Sequence, residues 1–280
     1  MKSQVASGPL AEVRATSGGL GGWEAGEGPA LVLLHGFAPG ADARSEFAGQ
    51  VEAFARGRRV LLLDLPGFGA SAELPIADDY TGDAVQRLRL TLRSLGVDRA
   101  DVLGHSLGGW VALRAALDAP DLVDRLVLAA PGTLVVGDDG FRGSEGVRKL
   151  AAFLARPTAI TMLEWLETQF ADAGAITDAL VETELARAAQ PGAIARLRAV
   201  RRSFEAAESD PPLWSQSRRV RQRALLLWGR ENADFPLDSI LHGARRVPHG
   251  DLHVMAGCAQ RAHQEDPDRF NQLVGQFLAG

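Results

Sequence analysis

The sequence is poor in cysteine, in excess charge and in long apolar runs, and each shortage excludes a class of protein. A lone Cys258 cannot form a disulfide within the chain, which is typical of a reducing compartment. A net charge of −5 without a basic block argues against nucleic acid or an anionic membrane as partner. The apolar runs are about as long as a strand, so none spans a bilayer. No export signal opens the chain, and we expect a cytoplasmic protein.

Short apolar runs alternate with helical patterns along most of the chain. Such an alternation predicts a mostly parallel β-sheet covered by helices on both faces. The glycine-rich stretch at 18–22 follows no strong strand and opens no helix, so we interpret it as the turn of an early hairpin. The predicted buried strands are residues 31–34, 60–63, 100–103, 126–130, 224–228 and 252–255.

The alternation stops between residues 142 and 219, where only helical patterns follow one another. Helices are predicted at 147–155, 160–170, 178–189 and 193–207, separated by Pro- and Gly-containing breaks. An all-helical insertion after the sixth strand is expected to cover the carboxyl edge of the sheet, where α/β sheets bind ligands. The sequence therefore predicts a core in two parts, 1–133 and 215–280, and a helical cap at 134–214.

Residues 104–108, Gly-His-Ser-Leu-Gly, match a G-x-S-x-G pattern between a predicted strand and a predicted helix. A sharp strand-to-helix turn would expose Oγ of Ser106 at the sheet edge, and small neighbours are needed because backbone passes close by. The N–H of Leu107 would then begin a helix and point toward developing negative charge.

In these residues the chain resembles the α/β-hydrolase superfamily, and within it the hydrolases that cleave carbon–carbon bonds in meta-ring-fission products of aromatic compounds. The resemblance implies an α/β-hydrolase fold, Ser106 at the nucleophile position and an oxyanion hole from the N–H groups of Phe37 and Leu107. Some members of that family are dimers, so a homodimer is possible. The resemblance rests on residues 35–41 (HGFAPGA), 64–71 (DLPGFGAS), 104–108 (GHSLG), 130–132 (APG), 228–231 (WGRE), 236–238 (PLD), 252–254 (LHV) and 270–271 (FN).

The chain departs from that family at both partners of the serine. The family's acid lies three residues after the Gly of the W-G pair, and this position holds Asn232. Its histidine lies five residues before the Glu of a Glu-x-Pro frame, and this position holds Gln260. A neutral amide does not accept a proton at ordinary pH, and loss of the base costs about 10⁴–10⁶ in rate.

Two nearby residues offer replacements, because Asp234 follows Asn232 by two positions and His263 follows Gln260 by three. Rearranged loops would allow an Asp234–His263–Ser106 triad. The alternative is that His263 packs on or caps the last helix and Asp234 is a solvated turn residue.

Glu46 stands where members of the resembled family often carry an Asn that contacts substrate oxygen. In a dry pocket its carboxylate would have a raised pKa and serve as general base or acid. The alternative is an exposed residue near a helix start. The family's cap arginine, which binds a substrate carboxylate, aligns near Thr183, so a carboxylate-bearing ring-fission product is not the expected substrate. We expect the substrate to contact Gly36, His105, Asn232, Gln260 and Arg261.

Three functional hypotheses follow. The leading one is an enzyme that binds a small, mainly apolar, polyketide-like or aromatic carbonyl compound and acts by elimination, cyclisation or rearrangement, with Glu46 or His263 handling protons. The second is a serine hydrolase with relocated partners, and the third is a non-catalytic binding protein. No metal-ligand spacing, dinucleotide fingerprint or repeat is present, so we expect neither metal nor cofactor.

Overall fold

A computed structural model describes residues 10–14, 18–134, 144–206, 212–235 and 237–280, with the side chains of 205 and 206 excepted. Its strands are β1 Ala11–Val13, β2 Gly22–Ala25, β3 Ala30–Leu34, β4 Arg59–Leu63, β5 Ala100–His105, β6 Val123–Ala129, β7 Arg223–Gly229 and β8 Gly250–Met255. Its α-helices are α1 Ala43–Glu46, α2 Ala48–Ala55, α3 Tyr80–Ser94, α4 Leu107–Asp118, α5 Glu145–Ala155, α6 Ala159–Leu166, α7 Asp178–Ala188, α8 Ala193–Ala206, α9 Leu213–Gln216, α10 Leu237–Ala244, α11 Ala262–Glu265 and α12 Pro267–Ala279.

The eight strands form one sheet in the order β1-β2-β4-β3-β5-β6-β7-β8. β1 and β2 pair antiparallel, which confirms the predicted hairpin, and β2 pairs antiparallel with β4. The other pairs are parallel. The central strands are buried on both faces because two separate apolar clusters pack against the sheet. The predicted α/β fold is confirmed.

The helical sequence pattern at residues 45–56 predicts one helix here, but the structure has two, α1 and α2. Asp42 caps α1, its side chain accepting the N–H of Ser45, and the backbone at Phe47 (φ −103°, ψ 24°) leaves helical geometry before α2 begins. The helix is interrupted because of tertiary packing. Phe47 is fully buried, and the break turns its ring into the apolar cluster that also contains Phe54 and Phe270.

The described elements between β6 and β7 are all helical, and they pack on loops at the carboxyl ends of the strands. Arg196 of α8 donates from Nε to the carbonyl of Gly67, in the loop after β4. Ser203, also of α8, donates to the carbonyl of Ala77. The helices therefore lie over the edge where the elbow ends β5. The three-part division at 133/134 and 214/215 stays a prediction. Within the described ranges, no helix is both long and apolar enough to cross a bilayer.

Candidate active site

The turn at Ser106 has the strained backbone that a nucleophile elbow requires. Ser106 has φ 48° and ψ −109°, a region that L-residues rarely adopt, and it joins the end of β5 to the start of α4. A Cβ on Gly108 would lie 2.0 Å from the carbonyl oxygen of Leu34, and one on Gly104 would lie 2.2 Å from that of Gly108. Only glycine fits at these two positions, so the sequence pattern reflects close backbone approach.

The hydroxyl of Ser106 and the backbone N–H groups of Leu107 and Phe37 have no hydrogen-bond partner in the described part of the chain. Ser106 Oγ has no hydrogen-bond partner among the described residues. Leu107 is the first residue of α4, so its N–H has no carbonyl from an earlier turn to bond. The N–H of Phe37, in the loop after β3, also lacks an acceptor within the described part of the chain.

Asn232 and Gln260, the residues at the acid and histidine positions, contact each other. Asn232 Nδ2 donates to Gln260 Oε1 over 2.7 Å, and both side chains are buried, at 4% and 3% exposure. Asn232 Oδ1 accepts the backbone N–H groups of Asp234 and Phe235, so Nδ2 must be the donor and Gln260 Oε1 the acceptor. Gln260 Nε2 remains as an N–H donor without an acceptor among the described residues. The predicted register is thus reflected in a direct contact. Pro236, which follows Asn232 by four residues as a Pro follows the acid in the resembled family, lies outside the described residues.

The relocated triad predicted from Asp234 and His263 is not assembled. Asp234 accepts hydrogen bonds from Gln169 Nε2 (3.0 Å) and Ser144 Oγ (3.3 Å). It therefore joins the loop after β7 to the helical segment, by which we mean the described residues 144–206. Burial raises the pKa of Asp234, partly offset by those hydrogen bonds. The prediction is wrong here because both carboxylate oxygens of Asp234 are engaged by residues other than His263.

His263 is sealed in the core beside aromatic rings. It is 1% exposed, and neither Nδ1 nor Nε2 has a hydrogen-bond partner, so it contacts neither Ser106 nor Asp234 by a hydrogen bond. Its ring packs against Phe47 and Phe270. Burial, reinforced by the nearby His105, lowers the pKa of His263 well below its usual value. His263 therefore matches the alternative expected from the sequence, in which it packs on the last helix.

Glu46 is neither a free base nor an exposed helix-start residue. Its carboxylate accepts the Gly36 N–H with both oxygens, at 2.8 and 3.0 Å, and lies 2.7 Å from His105 Nδ1. Burial alone would raise the pKa of Glu46, but the adjacent His105 and, more weakly, His263 outweigh it and hold the pKa at about 2. The expectation of a raised pKa is therefore wrong, because two imidazoles face this carboxylate.

The ring of His105 has no free nitrogen for a substrate. Nδ1 meets Glu46 and Nε2 lies 3.0 Å from the carbonyl oxygen of Gln260. The predicted substrate contact through this ring is therefore not available, because its two nitrogens contact Glu46 of α1 and the loop after β8.

Glu46, His105 and His263 are also the described residues whose donor atoms could gather around a metal ion, lying within 4.8 Å of one another. Two ligand atoms of a tetrahedral zinc, each about 2.0–2.2 Å from the ion, lie roughly 3.4 Å apart. The 2.7 Å contact between Glu46 and His105 is shorter and has the length of a charge-assisted hydrogen bond. The arrangement favours a direct hydrogen bond between these two side chains, and the absence of a metal stays a prediction.

Arg261, predicted to contact substrate, is tied to the helical segment. Its guanidinium donates from Nη1 to Glu184 of α7 over 3.1 Å and lies over the rings of Trp165 and Phe170. Arg261 and Glu184 are both nearly fully buried. Sequence reasoning missed Glu184, since no spacing links position 184 to 261. Thr183, near the position aligned with the family's cap arginine, is exposed, and its hydroxyl donates to the carbonyl of Ala179. Contact of Arg261 with a substrate stays a prediction.

Known proteins share this sequence pattern and this fold. The signature of the alpha/beta hydrolase family matches residues 31–273. A 2-hydroxy-6-oxononadienedioate/2-hydroxy-6-oxononatrienedioate hydrolase of Burkholderia vietnamiensis is 34% identical over 89% of this chain and 86% of its own. A 2-hydroxy-6-oxo-6-phenylhexa-2,4-dienoate hydrolase of Burkholderia cepacia is 32% identical over 91% of this chain and 90% of its own.

Solved structures of other proteins have the same fold as this chain. The 2-hydroxy-6-oxo-6-phenylhexa-2,4-dienoate hydrolase of a Rhodococcus species superimposes with a TM-score of 0.84 at 25% identity, covering 97% of this chain and 99% of that one. A serine hydrolase of Cycloclasticus zankles gives a TM-score of 0.84 at 20% identity, covering 97% and 98%, which shows the fold alone. With the family signature spanning most of its length and relatives above 30% identity, the chain belongs to the alpha/beta hydrolase family.

Proposed function

We propose that this chain is an enzyme that binds a small, largely apolar carbonyl compound beside Ser106 and converts it without a serine acyl intermediate, by elimination, cyclisation or rearrangement. The relatives are named for conjugated oxo-dienoates and oxo-dienedioates, small carbonyl compounds whose unsaturated chain carries one or two carboxylates. We carry over that general chemistry, a carbonyl conjugated with an unsaturated chain, to the substrate of this protein.

The contact between Asn232 and Gln260 carries the proposal. Ser106 needs a proton acceptor to become a nucleophile, and the oriented amide pair offers a donor, Gln260 Nε2, in its place. A serine hydroxyl without a base acts as a hydrogen-bond donor instead. Together with the N–H groups of Phe37 and Leu107, it would polarise a carbonyl whose oxygen gains charge in the transition state.

A reaction of this kind does not require a covalent intermediate. Polarising a carbonyl lowers the barrier for an adjacent elimination, ring closure or rearrangement, since the developing oxyanion is stabilised by preorganised donors. The helices after β6 would exclude water from the compound during the reaction. The same donors would also serve a protein that binds such a compound without converting it, and tight binding with no conversion would identify that alternative.

A hydrolase is the alternative that the names of the relatives favour. It needs a group to take the Ser106 proton. Neither His263, whose nitrogens have no partner, nor Glu46, which is engaged by Gly36 and His105, is hydrogen-bonded to that hydroxyl. A hydrolytic reaction would have to use water activated in some other way.

Comparison of the unmodified protein with Ser106→Ala tests the proposal. The substrates are 2-hydroxy-6-oxo-6-phenylhexa-2,4-dienoate, related conjugated ketones and a p-nitrophenyl ester. Products are separated by chromatography, and the mass of the intact protein is measured after acid quenching to detect an adduct. We expect conversion of a conjugated ketone to fall by about 10²–10³-fold in Ser106→Ala, the cost of removing one donor to a developing oxyanion, and no acyl adduct to form on the unmodified protein. Near-complete loss, with an acyl adduct on the unmodified protein, would overturn the proposal.

A further inference from the structure

We propose that Glu46 is a positioning residue that clamps the oxyanion loop to the elbow, by holding the Gly36 N–H with its carboxylate and a buried His105 imidazolium with its charge. The inference rests on the proposed function, since it presumes that the Phe37 N–H next to Gly36 binds a substrate oxygen.

The clamp acts on a loop that has no room to move toward the elbow. Glu46 accepts the Gly36 N–H with both oxygens, which fixes the peptide immediately before Phe37. A Cβ built on Gly36 would lie 2.7 Å from His105 Nδ1 and 3.3 Å from the Cβ of Ser106. The loop therefore rests directly on His105 and Ser106, and its position depends on the group that pulls it there.

His105 meets hydrogen-bond acceptors on both sides of its ring. Nδ1 is 2.7 Å from a carboxylate oxygen of Glu46, and Nε2 is 3.0 Å from the carbonyl oxygen of Gln260. A neutral imidazole donates from one nitrogen only, whereas an imidazolium donates from both. Both contacts are satisfied together only when His105 is protonated, and Glu46 provides the matching negative charge.

Both side chains of the pair are largely buried, and the other titratable groups that face Glu46 are His263 and His35. The side chain of His105 is 6% exposed and that of Glu46 is 12% exposed. His263, packed on His105 at 4.5 Å between ring centroids, has its nearest nitrogen 3.9 Å from Glu46, too far for a hydrogen bond. A buried charge without its partner is costly, so loss of the Glu46 charge would also remove the proton from His105.

Glu46 and His105 together connect two loops of the site. The chain of contacts Gly36–Glu46–His105–Gln260 joins the loop that carries Phe37 to the loop that carries the Gln260 amide. A neutral His105 would lose one of its two contacts, and the two loops would no longer be tied together. Glu46 thus acts through other residues on the geometry of the N–H donors, without touching the substrate.

Nitrogen NMR of the full-length protein with ¹⁵N-labelled histidine tests the clamp. Three variants are compared with the unmodified protein: Glu46→Gln keeps the shape, Glu46→Asp keeps the charge, and Glu24→Gln is the control. Glu24 pairs with Arg59 at the amino end of β4, whereas the elbow follows the carboxyl end of β5. At pH 7 we expect His105 to be doubly protonated in the unmodified protein and in Glu24→Gln, neutral in Glu46→Gln, and restored to the protonated form in Glu46→Asp.

Backbone hydrogen exchange gives the second measurement. In Glu46→Gln we expect the Gly36 amide, which donates to the carboxylate, to exchange about tenfold faster or more, with partial recovery in Glu46→Asp. Exchange at Val32 within β3 should not change, since a change there would report general unfolding. A neutral His105 in the unmodified protein, or unchanged Gly36 exchange in Glu46→Gln, would overturn the clamp. Neither measurement uses turnover, so a protein that converts no carbonyl compound would refute the proposed function and leave this result standing.

Discussion

Asn232 Nδ2 donates to Gln260 Oε1 over 2.7 Å, so the residues at the acid and base positions form a closed amide pair. The pair retains the connection that a carboxylate and an imidazole would make, but it has no group that takes up a proton at ordinary pH. Two backbone N–H groups hold Asn232 Oδ1 and set the direction of the whole arrangement. The contact connects the loop after β7, which carries Asn232, to the loop after β8, which carries Gln260.

The amide pair should contribute to stability in a way that depends on hydrogen bonding. Asn232→Leu leaves Gln260 Oε1 and two backbone N–H groups without partners in a buried site, and we expect a loss of about 2–4 kcal/mol in the free energy of unfolding. Asn232→Asp should cost less, since the carboxylate keeps the backbone contacts and the Gln260 amide can turn to donate to it. Urea unfolding measures both, and equal losses would contradict the assigned direction of the pair.

The positive φ of Ser106 predicts an unusual gain of stability on substitution. Ser106→Gly removes the Cβ that makes φ 48° unfavourable, and we expect the protein to become more stable by about 1 kcal/mol despite the added flexibility of glycine. Ser106→Ala, the matched control, keeps the Cβ and the strain and should change stability little. Thermal unfolding of the two variants decides, and a less stable Ser106→Gly would show that the elbow is unstrained.

Much of the fold was predictable because the relevant signals are local. The apolar strands and the glycines at 104 and 108 follow from periodicity and from close backbone approach, and the structure confirms both. The break at Phe47 was not predictable, since residues on either side have helical preferences and only the tertiary burial of Phe47 separates α1 from α2.

The site was predictable only where residues lie in a fixed register. Asn232 and Gln260 were placed by their spacing from W-G and Glu-x-Pro, and they do meet. The contact of Glu46 with His105 joins residues 59 positions apart, and no local pattern reports it. Without that contact, burial alone would indicate a raised pKa for Glu46, and the error in direction arose from this missing partner.

The buried neutral state of His263 predicts a loss of stability on moderate acidification. The pKa of His263 is lowered in the folded protein, so the unfolded chain takes up the proton first as the pH falls below about 6.5. Stability is therefore lost by up to about 1.4 kcal/mol per pH unit below that value. Glu46, with a pKa lowered from 4.5 to about 2, acts in the same direction only below about pH 4.5.

Replacing His263 separates its contribution to the loss of stability in acid from that of Glu46. In His263→Gln the slope of unfolding free energy between pH 7 and pH 5 should flatten by about 1 kcal/mol per pH unit, while the slope below pH 4.5 remains. His253→Gln, on the partly exposed edge strand β8, is the control for the loss of a histidine, and an equal flattening in that variant would contradict the role given to burial of His263. An unaltered slope in His263→Gln would mean that this histidine is charged in the folded protein.

The ion pair between Arg261 and Glu184 should stabilise the contact of the helical segment with the core. Glu184→Gln leaves a buried guanidinium without its carboxylate, and we expect a loss of about 3 kcal/mol. The double variant Glu184→Gln, Arg261→Met should be more stable than Glu184→Gln alone, since no unpaired charge remains between Trp165 and Phe170. A double-mutant cycle by urea unfolding measures the coupling, and strictly additive losses would contradict it.

The rate at which a fluorophosphonate labels Ser106 is the most direct test of whether this serine lacks a base. The unmodified protein is compared with the double variant Asn232→Asp, Gln260→His, which restores a carboxylate and an imidazole at the two positions. Because the base is worth about 10⁴–10⁶ in rate in a serine hydrolase, we expect labelling at least about 10³-fold faster in the double variant. Rapid labelling of the unmodified protein, unaffected by Gln260→Ala, would show that another group already activates Ser106.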